Sequence, residues 1–223
     1  MFRLSLMSIL ILSSTTFAAS PDELKARDEI AEFLKTNVVD RVHGGKGTHL
    51  IADGRMEADW DSRRVIRNLQ VTPEGLKFEY ELEFKQTNHA LDANKKRTGE
   101  TENKDRTLID AWEFAKTDTN ELFGFRRSIS NTEKGSDPTG GFSAARAVME
   151  NGKLKITMFS PFYGNFYDVN KKTFPGRTVS VIVYSIEKGK LKHLRTSQAY
   201  KVDPVTLENI KDLGVQIYDE SEK

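Results

Sequence analysis

Between Leu76 and Phe84 apolar and polar residues alternate without a break. Leu76, Phe78, Tyr80, Leu82 and Phe84 fall on one side, and Lys77, Glu79, Glu81, Glu83 and Lys85 on the other. A period of two is the mark of a half-buried β-strand with one wet face. Thr72-Pro73-Glu74-Gly75 reads as a tight turn leading back to a strand over 64–71. Asn151-Gly152, the strongest two-residue hairpin signal, separates strands at Phe142–Glu150 and Lys153–Phe159. Lys188-Gly189 does the same between 178–187 and Lys190–Val202. Further strands are expected around 49–60, 107–116 and 122–129.

The start of the chain keeps a different period. Ser20 is a helix cap, Pro21 suits the first helical position, and Glu23 completes a capping box. Leu24, Ile30, Ala31, Leu34, Val38 and Val42 then recur at near-helical spacing. The pattern predicts one helix over about 21–42, stopped by Gly44 and Gly45. Val38-Val39 would also suit the start of an extended segment. A long polar loop is expected over 86–105. A short helix capped by Asp203 is expected over 205–214, behind Pro204.

Eight to ten strands joined by hairpins, with no helix between them, predict a mainly β fold with an antiparallel sheet. A long meander must close or stack to remove its edges. The expectation is an up-and-down β-barrel first and a two-sheet sandwich second, with one N-terminal α-helix covering an end or a face. Such an architecture resembles lipocalin-like barrels at the level of fold alone. The Gly-x-Trp entrance motif of that family is absent, because Gly54 and Trp60 stand too far apart.

Residues 1–18, MFRLSLMSILILSSTTFA, place one Arg before an apolar run and small residues before Ala18. That layout predicts a cleaved secretory signal peptide and a periplasmic or secreted protein. The run is too short to span a bilayer, and no later segment is apolar enough to form a transmembrane helix. Residues 19–223 are then expected to form a single domain. Of the 34 Lys+Arg and 33 Asp+Glu residues only Arg3 lies in the leader, so the remainder is charge-balanced. A nucleic acid is therefore not an expected partner. The chain has no Cys, which excludes thiol nucleophiles, thiolate metal sites and disulfides.

Several motifs fail on context. Gly45-Lys46-Gly47-Thr48 resembles the end of an adenylate-kinase-type phosphate loop, but Asp40 stands where the first glycine belongs. The segment reads instead as a helix cap and hinge. His43 and His49 are a weak metal-ligand signal with no evident third ligand, and His89 and His193 read as surface or edge residues. No metal and no cofactor is expected. Glu79, Glu81 and Glu83 resemble the carboxylate array of jelly-roll glucanases, but the Asp of that motif is missing. They read as a solvated strand face paired with basic neighbours.

Two breaks in alternation carry more. Asp110 shares a strand face with Leu108, Trp112 and Phe114, and Arg146 lies among Phe142, Ala144 and Val148. If both faces point inward, an Asp110–Arg146 pair stands inside a barrel; the bland alternative is a β-bulge that turns each outward. The densest aromatic stretch, Phe159 to Phe174, includes Phe162, Tyr163, Phe166 and Tyr167 on an expected loop. These would either guard a cavity mouth or plug a barrel end.

The sequence thus points to an exported protein that binds a small apolar or amphipathic ligand, with Asp110, Trp112, Arg146, Phe162, Tyr163, Phe166 and Tyr167 as binding residues. It reads as a binder rather than an enzyme. One alternative is an envelope glycan-acting enzyme with carboxylates such as Asp110 and Glu113. Another is a partner-binding or structural envelope protein that uses an exposed edge or the aromatic loop.

Overall fold

The computed structural model describes residues 21–51, 55–117, 119–132, 142–159, 164–167, 173–206 and 208–222. The expected signal peptide, and Phe162 and Tyr163, lie outside them. One helix, α1 (Pro21–Asn37), precedes eleven strands: β1 (His43–Ile51), β2 (Met56–Thr72), β3 (Gly75–Leu91), β4 (Arg97–Lys116), β5 (Glu121–Asn131), β6 (Phe142–Glu150), β7 (Lys153–Phe159), β8 (Gly164–Tyr167), β9 (Thr173–Glu187), β10 (Lys190–Val202) and β11 (Asn209–Glu222).

Every strand pairing is antiparallel, and apart from short β8 each strand pairs with its neighbours in the meander. β11 returns to β1 and closes a ten-strand up-and-down barrel, with β8 laid beside the start of β9. The alternation read from β3 holds: Leu76, Phe78, Tyr80, Leu82 and Phe84 are all buried. Both glycine hairpins use left-handed residues, Asn151 with Gly152 and Lys188 with Gly189, which matches the twist of the strands they join.

The helix covers the end of the barrel where these tight turns lie. Ala26, Ile30, Leu34 and Val38 are buried, and the last three join a core with Ile66, Leu76, Phe78, Leu122, Ala147 and Leu154. Helix α1 stops at Asn37, earlier than its spacing suggests. Val39 bridges to Ile66, and the Asp40 N–H donates to the Ile66 carbonyl at φ 61°.

Three other expectations are corrected. Gly44 and Gly45 do not cap the helix but lie in β1. A Cβ on Gly45 would stand 2.7 Å from the Asp219 carbonyl oxygen, and one on Gly47 would stand 2.8 Å from the Trp60 ring. Close approach, not a hinge, is what these glycines permit. The stretch over 86–105 is no long loop, because β3 and β4 continue through it to a turn in which Asp92 Oδ1 accepts from the Asn94 and Lys96 amides. The described residues of 205–214 are not helical: Asp203 caps only a turn before β11 begins.

Closure at the β1–β11 seam is short. Its register holds only His43↔Glu222 and Gly44↔Ser221, whereas β10 and β11 pair from Lys192 to Val202. Farther along, side chains bridge the seam: His49, Trp60 and Tyr218 pack with ring centroids 4.7–5.6 Å apart.

Candidate functional site

Inward positions of the wall divide into an apolar region and a polar one. On β3 and β4, Phe78, Trp112 and Phe114 stack with centroids 5.6–6.1 Å apart. Ala145, Ala147, Ile156 and Met158 continue this surface over β6 and β7. The opposite wall, where β9, β10 and β11 meet β1 and β2, carries charged and polar side chains.

Its centre is Glu220. The Ser62 hydroxyl donates to one carboxylate oxygen at 2.7 Å, and Arg64 Nε donates to the other at 2.6 Å. His193 Nδ1 stands 3.1 Å from the second oxygen, poorly aligned for a hydrogen bond. Arg64 also donates to the Tyr80 hydroxyl at 2.6 Å. The His43 ring packs against His193 at 5.0 Å and Tyr184 at 5.7 Å, and its Nδ1 faces the Arg41 carbonyl at 3.4 Å. His43, His193, Arg64 and Glu220 are at most 1% exposed.

These surroundings set the charges. Burial, with His193 and Arg64 adding to it, pushes the His43 imidazole down to about 3. His193 is lowered by burial. Both rings are therefore neutral near pH 7. Burial opposes ionisation of Glu220, but the neighbouring His193 and Arg64 outweigh it and hold the carboxyl well below its ordinary range. The Arg64 guanidinium is held charged against its burial by Tyr80 and Glu220.

Asp110 lies farther along the barrel interior, buried rather than turned outward by a bulge, with Arg126 Nε 3.6 Å away. Burial raises its pKa, while Arg126 and the Ser128 hydroxyl draw it back. The irregularity in pairing with β5 falls beside it and leaves Asp110 facing inward. Trp112 is also buried.

Arg146 is not Asp110's partner. Ala145 and Ala147 take the inward positions of β6, which puts Arg146 on the outer surface in an ion pair with Glu121. Phe166 and Tyr167 lie on β8, opposite Phe174 and Thr173 of β9. Glu113 faces outward and pairs with Lys77 at 3.1 Å, on the other side of the wall from Asp110. Glu79, Glu81 and Glu83 likewise face out, beside Asn68, Arg67 and Arg63.

Sequence reasoning missed Arg64, Arg126, His193, Arg195 and Glu220. The signal was present strand by strand, since each replaces an apolar residue at an inward position. Arg106 also stands inside, over the Phe84 ring at 5.1 Å, and Arg195 lies over Tyr218 at 5.6 Å. Burial and the Arg64 charge push the Arg195 guanidinium below its usual value. Among the described residues, Arg64, Arg106, Arg126 and Arg195 thus face the interior together with Asp110 and Glu220. No protein family, curated protein or solved structure matches this chain.

Proposed function

We propose that the barrel is an exported carrier of a small amphipathic ligand bearing an acidic group. One observation carries the reading. Buried polar atoms inside the wall, among them Trp60 Nε1, Trp112 Nε1, Asp110 Oδ1 and Arg126 Nε, have no hydrogen-bond partner among the described residues. Buried polar groups are costly unless satisfied, so water or a ligand must meet them. The aromatic wall of Phe78, Trp112 and Phe114 suits an apolar body. The inward guanidinium groups of Arg126 and Arg195 suit an anionic head. Export rests on the leader pattern alone.

Trp60 and Trp112 face the interior and report directly. A medium-chain fatty acid should shift their emission saturably, and the alcohol of equal length should bind more weakly. Native mass spectrometry of protein from its own host should show a retained small mass and a chain beginning at Ala19. Failure of both probes to bind, with the protein repeatedly recovered empty, overturns the reading.

A second reading, binding of a protein partner, has its own observation. Beyond Gly44 and Ser221 the facing edges of β1 and β11 are not paired with each other, and Leu50, Val215 and Ile217 are exposed beside them. An unpaired edge accepts an added strand. Proline substitutions along outward-facing β11 positions should abolish such binding. The glycan-enzyme alternative gains nothing, because Asp110 and Glu113 lie on opposite faces.

A further inference from the structure

We propose that His43, His193 and Glu220 bind one divalent transition-metal ion of the zinc, cobalt, nickel or copper class. The three residues come from β1, β10 and β11 and meet at the barrel's closing seam. One ring nitrogen of each histidine and a carboxylate oxygen of Glu220 lie within 4.8 Å of one another, and all three side chains are buried.

Tautomer logic aims the first ligand. His43 Nδ1 faces the Arg41 carbonyl, which can only accept a hydrogen bond. The proton of the neutral ring therefore sits on Nδ1, and Nε2 keeps its lone pair. That Nε2 is buried and has no hydrogen-bond partner among the described residues, and the same holds for His193 Nε2. A backbone carbonyl that fixes the far nitrogen is how metal-binding histidines are normally oriented. Glu220 has the same support from Ser62 and Arg64.

Donor chemistry selects the ion. Two imidazoles and one carboxylate suit zinc and its neighbours, whereas magnesium and calcium need mostly oxygen ligands. Arg64 neutralises part of the Glu220 charge, which further disfavours a hard cation held by charge alone. A fourth position would fall to water. The site is independent of ligand carriage, since Asp110 and the stacked aromatics take no part in it.

Cobalt titration of the full chain after chelator treatment tests the site, with metal added both to folded protein and during refolding because the ligands are buried. One equivalent of Co²⁺ should bind with visible ligand-field absorption, and Zn²⁺ but not Mg²⁺ should displace it. His43→Asn and His193→Asn should each weaken uptake by at least about tenfold, and Ser62→Ala, which removes a hydrogen bond that supports the carboxylate, by about tenfold. His89→Asn, a control on the outer surface beside Asp59, should change nothing. No uptake by either route, or uptake undiminished in both His43→Asn and His193→Asn, overturns the proposal. If those two variants do not fold, the cobalt spectrum of the wild-type chain beside His89→Asn decides it.

Discussion

Arg64 Nε lies 2.6 Å from Glu220 Oε2, and the pair joins β2 to β11 over the intervening β1 with neither side chain more than 1% exposed. Taking two charges out of water costs several kcal/mol each, and the contact offsets this only while both partners remain. Glu220→Ala should therefore destabilise by about 3–5 kcal/mol, since it strands a buried guanidinium. Arg64→Met combined with Glu220→Leu should recover most of that loss. Urea unfolding of the single and double variants measures both. A cost for Glu220→Ala below about 1 kcal/mol, the range of exposed pairs, would show that the pair does not hold the seam.

The same cluster makes the fold sensitive to acid. His43 titrates near 3 in the folded chain against an ordinary 6.5, so the unfolded chain binds the proton more readily. Stability should be full above about pH 6.5 and fall as the pH drops, by about 1.4 kcal/mol per unit for each such histidine. Glu220 adds to the loss once the pH falls through its ordinary 4.5, because its folded-state pKa is depressed. Guanidinium midpoints measured from neutral to mildly acidic pH, with chelator present, should show a decline that is shallower in His43→Asn. An unchanged slope in that variant would exclude His43 as a source.

Asp110 and Arg146 should behave differently although their strand contexts read alike. Arg146 is 42% exposed in its pair with Glu121, so Arg146→Ala should cost less than about 1 kcal/mol and leave ligand affinity unchanged. Asp110→Ala leaves Arg126 without its nearby carboxylate and changes the polar anchor. It should alter fatty-acid affinity as read by tryptophan emission, and equal effects of the two variants would contradict the placement.

That contrast shows how far the sequence was legible. On β3 one face is plainly richer in large apolar residues, so the burial of Leu76, Phe78, Tyr80, Leu82 and Phe84 followed from alternation, whereas on β4 alternation left Asp110 open between the inward face of Trp112 and an outward bulge. On β6 both faces are apolar: Phe142, Ala144 and Val148 rival Ala145, Ala147 and Met149, so parity did not tell inside from outside. The His43–Arg64–His193–Glu220 cluster was hidden for another reason. It exists only because the last strand closes on the first, and each member is by itself one polar residue in an otherwise ordinary strand. Closure of a meander is a general expectation; which residues then meet depends on register, and turn signals do not fix the register between the two ends of a chain.

Helix α1 tests whether the barrel needs its floor. Leu34 is fully buried among the core side chains at the covered end. Leu34→Ala should cost about 2–5 kcal/mol through lost burial and the cavity left behind. A thermal shift matching a surface substitution would mean that the helix rests on the barrel without supporting it.

The sharpest steric test lies at the seam. Gly47 leaves room for the Trp60 ring, which packs with His49 and Tyr218 where β1 and β11 have stopped pairing. In Gly47→Ala the added methyl would meet the indole at 2.8 Å, a separation that real contacts essentially never show. The ring must move, and overpacking of this kind costs about 1–3 kcal/mol. Backbone hydrogen bonds between β1 and β11 cannot take up the strain there. Trp60 emission should shift to the red, and amide exchange over β1 should quicken more than over β3, which is paired along most of its length on both sides. Emission and exchange both unchanged would mean that the aromatic bridge does not hold the barrel shut.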